Sequence, residues 1–306
     1  MIYDAFVPVG ERNMIHSTWD DWFVSDEIEA AEPEGLSIWY LGCNAFVLRT
    51  SETTVYVDPY FGSGKPPWTI RMIPVPMDPA DATMCDAVLV THEHIDHMHE
   101  PSYRPFVDNC DATVCAPEAS FENPDYEPER EIPEDQTEVL QPGDTLEIGD
   151  LTVHVRGGND PDALEEVSYV VEHDSGTYFN SGDSRPTETF YDIGAEFDID
   201  VGSLTFGTVG RIHHQSEGET RVERWYSNEN DVIEMANALQ LDRLLPCHYD
   251  MWKGVGGDPT SLHEHATSFT YPRSIEPVRI GDRVDVGSPG IVPLQSLEDG
   301  WDGPRG

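Results

Sequence analysis

Lysine is almost missing from this chain. Lys65 and Lys253 are its only two, so arginine supplies 15 of the 17 basic residues. Against them stand 59 acidic residues, for a formal net charge of −42. That balance argues against a nucleic-acid partner, because phosphate contacts draw on lysine and arginine. Paired C-x-x-C spacing is also missing. The five cysteines, Cys43, Cys85, Cys110, Cys115 and Cys247, are odd in number and scattered. Neither a disulfide framework nor a structural zinc knot is expected, and buried reduced thiols in a cytoplasmic protein are. There is no apolar run of the length that a membrane span needs, so no membrane association is expected. Met1-Ile2-Tyr3-Asp4 has no basic segment leading into an apolar stretch, so no signal peptide is expected.

The acidic residues are spread between apolar runs rather than gathered in one block. A disordered acidic tail is therefore excluded, and a folded chain must carry this charge. Self-repulsion destabilises such a fold in dilute salt. At ~1 M salt the Debye length falls to about 3 Å, and that repulsion is screened. The composition resembles that of proteins from salt-in halophiles.

Strand-like runs are frequent: 36–41, 45–49, 54–57, 87–90, 112–115, 145–148, 151–155, 167–172, 177–180, 201–206 and 243–247. Helical patterns are fewer: a short one near Ser25, one over 187–191, one over 232–239 capped by Ser227-Asn228, and a last one from Asp258-Pro259. Strand pairs come first, then alternating strands and helices, and the pattern repeats loosely. We expect a single α/β domain spanning 1–306, a sandwich of two sheets flanked by helices. Residues 1–35, with Trp19, Trp22 and Phe23, form an N-terminal extension packed on it.

The densest chemistry follows the run Ala87-Val88-Leu89-Val90. Thr91-His92-Glu93-His94-Ile95-Asp96-His97 places three histidines and an aspartate within six residues. Imidazoles and carboxylates are ligands for borderline divalent metals. Four such donors exceed what one open catalytic ion takes from a short loop, which suggests two metals. His92 and His94 would serve one, Asp96 and His97 the other, with Glu93, Ile95 and His99 as spacers.

This loop matches the H-x-H-x-D-H signature of the metallo-β-lactamase superfamily. Ile38-Trp39-Tyr40-Leu41-Gly42 and Val55-Tyr56-Val57-Asp58-Pro59 resemble its opening strands. Ser181-Gly182-Asp183 resembles its bridging carboxylate, and Leu245-Pro246-Cys247-His248 its terminal metal histidine. The resemblance implies a four-layer αββα metallo-β-lactamase sandwich. It adds Asp183 and His248 to the ligands and makes Asp96 and Asp183 the catalytic carboxylates. Many members place a third histidine before the bridging aspartate. Here His154 lies inside a strand, and Gly157-Gly158-Asn159-Asp160 offers Asp160 instead. Within the superfamily, Trp39-Tyr40-Leu41-Gly42-Cys43, Phe61-Gly62-Ser63-Gly64-Lys65, Gly182-Asp183-Ser184 and His248-Tyr249-Asp250-Met251-Trp252 resemble the L-ascorbate-6-phosphate lactonases. That likeness implies a cytoplasmic, manganese-dependent homo-oligomer that opens a phosphorylated sugar lactone with a metal-bound hydroxide.

The carboxylate at Asp160 favours manganese, whereas affinity order favours zinc. Both surviving lysines lie in loops beside predicted site elements, so Lys65 and Lys253 are candidate contacts for a substrate phosphate. Arg211, His213, His214 and Arg221 form a second basic cluster, in a loop after 201–206. The rival readings are a phosphodiesterase or nuclease on the same fold, an iron-dependent oxidoreductase, and a metal-binding homologue without turnover. The charge reading makes one prediction: the melting temperature rises from dilute buffer to ~1 M salt as repulsion is screened. A flat profile in thermal melts across that range would contradict it.

Overall fold

The computed structural model describes residues 14–66, 69–207, 209–214 and 218–294. Two large sheets carry the fold. The first contains β1 (Ser37–Gly42), β2 (Ala45–Arg49), β3 (Thr54–Val57), β4 (Ala87–Leu89), β5 (Thr113–Pro117) and β6 (Thr137–Leu140). The second contains β7 (Thr145–Ile148), β8 (Leu151–Gly157), β9 (Val167–His173), β10 (Gly176–Asn180) and β11 (Val201–Thr205). A separate antiparallel hairpin follows, β12 (Val209–His214) with β13 (Glu219–Arg224). Later strands complete both sheets. β14 (Arg243–Cys247) and β15 (Ser274–Ile275) extend the second, and β16 (Arg283–Asp285) and β17 (Ile291–Val292) extend the first.

Each sheet begins with antiparallel strands and continues with parallel ones. β1, β2 and β3 pair antiparallel, and β3 to β6 pair parallel. β7 to β10 pair antiparallel, and β10, β11, β14 and β15 pair parallel. The repeat expected from the sequence is this shared order.

Apolar packing separates four layers. Ile38, Phe46, Val55 and Leu89 of the first sheet meet Leu151, Val153, Tyr169 and Leu245 of the second in one core. The outer face of the first sheet packs on α1 (Glu100–Cys110) and on Phe23, Val24 and Ile28, with Trp19 and Trp22 beside them. α2 (Glu118–Glu122) follows β5. The outer face of the second sheet packs on α3 (Thr189–Glu196) and α4 (Glu229–Ala238), with Leu262 of α5 (Leu262–Ala266). The αββα sandwich is thereby present. No helix among the described residues is long and apolar enough to cross a membrane.

Several local expectations are corrected. The helix expected over 187–191 starts later and runs Thr189–Glu196. α1 was not expected, because Pro101 and Pro105 interrupt its pattern. Pro101 lies in the first helical turn, where its missing N–H costs nothing, but Pro105 lies within the helix. β6, after the Pro- and Glu-rich stretch, was missed because its alternation spans only four residues. The stretch read as a loop beyond residue 206 is the β12–β13 hairpin. Arg211 and Arg221 are exposed on it, and the side chains of His213 and His214 lie outside the described residues.

The late strands are tied down by one side chain. Arg243, on β14, donates two bonds to the Glu276 carboxylate at 3.0 and 2.8 Å. It also donates to the carbonyls of Asp285, Ser288 and Gly290 at 3.0, 2.7 and 2.8 Å. These bonds link the edge of the second sheet to the final strands of the first. Arg243→Ala removes five charge-assisted bonds and leaves the partly buried Glu276 carboxylate without its cation, so it is expected to cost about 3 kcal/mol. Denaturant unfolding measures this, and a loss below ~1 kcal/mol would contradict it.

Candidate metal centre

The functional side chains gather where strands of both sheets end. The signature loop follows β4, Asp58 follows β3, Asp160 follows β8, Asp183 follows β10 and His248 follows β14. This is the edge at which open parallel sheets bind ligands. Two backbone positions aim donors there. His248 adopts φ +66. Gly182, before Asp183, adopts φ +59, and a Cβ there would lie 2.7 Å from Glu166 Oε1. A larger residue at Gly182 would therefore be both strained and blocked.

Two donor clusters result. Asp96, His97, Asp183 and His248 form one, and His92, His94 and Asp160 the other. Within the first, His97 Nε2 lies 3.3 Å from Asp183 Oδ2, and His248 Nε2 lies 3.1 Å from Asp96 Oδ2. Asp183 Oδ1 is 3.7 Å from His248 Nε2. Within the second, His94 Nδ1 and His92 Nε2 lie 3.4 and 3.7 Å from Asp160 Oδ2. Facing nitrogens of His92 and His94 are 2.9 Å apart. One shared proton or one shared cation would account for that approach.

A buried carboxylate not predicted as a site residue organises the loop. Asp58 is fully buried. Its Oδ1 accepts the Thr91 N–H at 2.8 Å, and its Oδ2 accepts the Thr91 hydroxyl at 2.8 Å and the Asn44 amide at 2.9 Å. The same Oδ2 lies 2.8 Å from His97 Nδ1. With Nδ1 donating to Asp58, His97 turns a bare Nε2 to the cluster. Thr91 Oγ1 sits 3.0 Å from His92 Nδ1 and can accept from it, which leaves His92 Nε2 free in the same way. A carboxylate or hydroxyl behind a histidine is the usual support for a metal ligand.

Glu166 is a second unpredicted carboxylate. Its side chain is 2% exposed. It accepts the Asp183 N–H at 2.7 Å and the Ser184 hydroxyl at 2.7 Å, holding the turn that presents Asp183.

The donors fit divalent cations. His97 Nε2 is buried without a hydrogen-bond partner, although it points among carboxylates. Nδ1 of His248 is also buried without a hydrogen-bond partner. Ion pairs of Asp58, Asp96, Asp160, Asp183 and Glu166 among the described residues are with histidine. Buried carboxylates this numerous favour added cationic charge beside them.

Electrostatics within the site follow from this crowding. Burial, with His97, His94 and His248 nearby, holds His92 well below the usual histidine range. It is neutral, as a ligand must be. Burial alone would lower His97 as well, but Asp58, Asp183 and Asp96 outweigh it and raise it. Burial and the nearby Asp183 push the Asp160 carboxyl up to about 6. Burial also pushes the Glu166 carboxyl well above the usual range. Asp96 and Asp183 stay below the usual range, because adjacent histidines overcome the burial penalty.

Both clusters face one cleft of about 440 Å³. His94, Asp96, Asp160 and Asp183 line it, together with Lys65, Arg185, Arg224, Trp225, Tyr226 and Trp252. Lys65 Nζ pairs with Asp125 at 3.2 Å across its rim, with both side chains about half exposed. Lys253 is exposed and is not among the lining residues; its backbone N–H bonds the Ile70 carbonyl. His154 lies away from the clusters on β8, 2.7 Å from Glu172. His99 caps α1 and contacts the Ser102 hydroxyl at 2.7 Å. Arg185 and Arg224 had no motif to mark them; only folding brings them to the cleft.

Known proteins share this fold. The model of the beta-lactamase superfamily domain matches residues 53–249. A probable L-ascorbate-6-phosphate lactonase of Escherichia fergusonii is 26% identical over 302 residues, covering 83% of this chain and 82% of that protein. Among solved structures, a metallo hydrolase of Ignicoccus hospitalis superposes with a TM-score of 0.59 at 14% identity, covering 82% of this chain and 97% of that one. The metallo-β-lactamase fold protein YhfI of Bacillus subtilis gives 0.56 at 15% identity, covering 82% and 98%. With the family model spanning well over half of the sequence and the donor clusters at its centre, the chain belongs to the metallo-β-lactamase superfamily, as a metal-dependent hydrolase.

Proposed function

We propose that this hydrolase opens a phosphorylated sugar lactone. The observation that carries the reading is the shared cleft: donors of both clusters and the charged Lys65, Arg185 and Arg224 line the same cavity. The lactonase likeness supports the substrate class. His92, His94 and Asp160 would hold one divalent ion, and Asp96, His97, Asp183 and His248 another, manganese or zinc. Such ions lower the pKa of coordinated water toward about 7 and polarise a carbonyl oxygen.

The chain's own part is positioning. Asp96 and Asp183 are kept ionised by their histidine neighbours, so their oxygens are hydrogen-bond acceptors that can orient an attacking water. Asp58 fixes His97, and Glu166 fixes the Asp183 turn. Trp225 and Trp252 give the cleft an apolar wall beside the reacting centre, and Trp252 Nε1 donates to the Tyr226 hydroxyl at 3.0 Å. Lys65, Arg185 and Arg224 offer charged donors to a substrate phosphate. The free thiols support the cytoplasm as the compartment, and the reading includes a homo-oligomer.

Metal content, turnover and the behaviour of single variants test this. Purified in high salt, the protein should contain two divalent ions per chain and hydrolyse phosphorylated lactones. Chelation should abolish turnover, and manganese or zinc should restore it. Hydrolysis of phosphodiesters but not lactones would overturn the substrate assignment, and bound metal without any turnover would overturn the enzyme reading. Asp58→Asn should weaken metal affinity or activity by about 10–100-fold while the fold persists; an unchanged metal titration would remove Asp58 from its supporting role. Lys65→Gln should raise KM for a phosphorylated lactone severalfold with kcat nearly unchanged, and Lys253→Gln should leave both alone. If Lys65→Gln has no effect on KM, the phosphate contact is wrong.

A further inference from the structure

One donor at the centre belongs to neither cluster. Cys43 occupies the β1–β2 turn, fully buried, with φ +62. Its Sγ lies 3.4 Å from His248 Nε2 and 3.9 Å from Asp96 Oδ2. Those two atoms are 3.1 Å from each other. Sulfur, nitrogen and oxygen thus form a compact triangle at the inner end of the site.

The triangle has the dimensions of a coordination face. A thiolate at ~2.3 Å and an imidazole at ~2.0 Å on one tetrahedral ion stand about 3.5 Å apart. A thiol donating to the imidazole would also explain the 3.4 Å separation. A hydrogen-bonded network without a cation, however, leaves His97 Nε2 buried and unpartnered, 4.0 Å from the Asp96 oxygen that Cys43 faces. That empty nitrogen is a separate sign that a cation completes this end of the centre.

We propose that Cys43 is a thiolate ligand of the metal position served by Asp96 and His248. The assignment rests on the two-cluster metal centre described above and extends it. When the ion binds, a sulfur lone pair forms the bond, the S–H bond breaks and its proton goes to solvent. No electron is transferred. The two metal positions then differ in kind. The His92, His94 and Asp160 position offers only nitrogen and oxygen, whereas the other gains a soft donor that selects thiophilic ions such as zinc. A centre with one hard and one soft position takes two different metals more readily than two alike.

Cobalt substitution tests this without measuring turnover. Cobalt(II)-loaded wild-type protein is expected to show a near-ultraviolet sulfur-to-cobalt charge-transfer band. Cys43→Ser should lose that band while visible ligand-field absorption from histidine-bound cobalt remains. Cys247→Ser should keep it, since the Cys247 thiol contacts Asn44 and Thr205 instead. Bound cobalt without the band in wild type, or a band that survives Cys43→Ser, overturns the assignment alone. Failure of wild type to bind cobalt overturns the metal centre and the assignment together. If Cys43→Ser does not fold, X-ray absorption of the zinc-loaded wild type decides: a sulfur shell at ~2.3 Å that Cys247→Ser retains supports Cys43. A nitrogen and oxygen shell alone refutes it.

Discussion

Asp58 is the constraint on which the site depends. It bonds the Thr91 backbone, the Thr91 hydroxyl and Asn44, and meets His97 Nδ1 at 2.8 Å. One buried carboxylate thereby joins the end of β3, the β1–β2 turn and the start of the signature loop. Its charge has a steep desolvation cost that the four contacts must offset. The result is a loop whose imidazoles have a defined face before any ion arrives. Preorganisation of this kind is what lets a small set of donors act on water rather than merely bind cations.

Around that anchor, stability and function pull in different directions. Asp96, Asp160, Asp183 and Glu166 crowd beside Asp58 in a chain that already carries a net charge of −42. Burial raises Asp160 and Glu166 by stripping water from their charged forms, and the nearby Asp183 adds to the rise. The apolar core between the sheets and the Arg243 network hold the frame against this local repulsion. Bound cations would relieve it directly, which couples metal occupancy to the integrity of the loop.

Legibility in the sequence followed distance along the chain. His92, His94, Asp96 and His97 were readable because they crowd one loop. Asp183 and His248, each just after a strand, were read through the likeness to a known family. Asp160 could be placed only through the likeness to a known family, and it sits 3.4 Å from His94 Nδ1. Asp58 and Glu166 act through the nitrogen or backbone of another residue, and such support leaves no periodic signal. Cys43 read as an ordinary buried thiol for the same reason. Among the elements, α1 was hidden by its prolines and the β12–β13 hairpin by its polar sequence. The two lysines looked equivalent, but folding brings only Lys65 to the cleft.

The shared strand order of the two sheets bears on how the centre assembles in time. Donors from the β4 loop and from the end of β14 are separated by about half of the chain, and neither half alone supplies a full set. Parallel pairing of β10, β11 and β14 is a long-range event that must precede the arrival of His248. A nascent chain emerging from the ribosome therefore carries the signature loop well before its partner donors exist. Ions captured early would meet an incomplete, N-terminal set of ligands. Metal selection is then a property of the finished fold and the pool it meets, rather than of the order in which donors are synthesised.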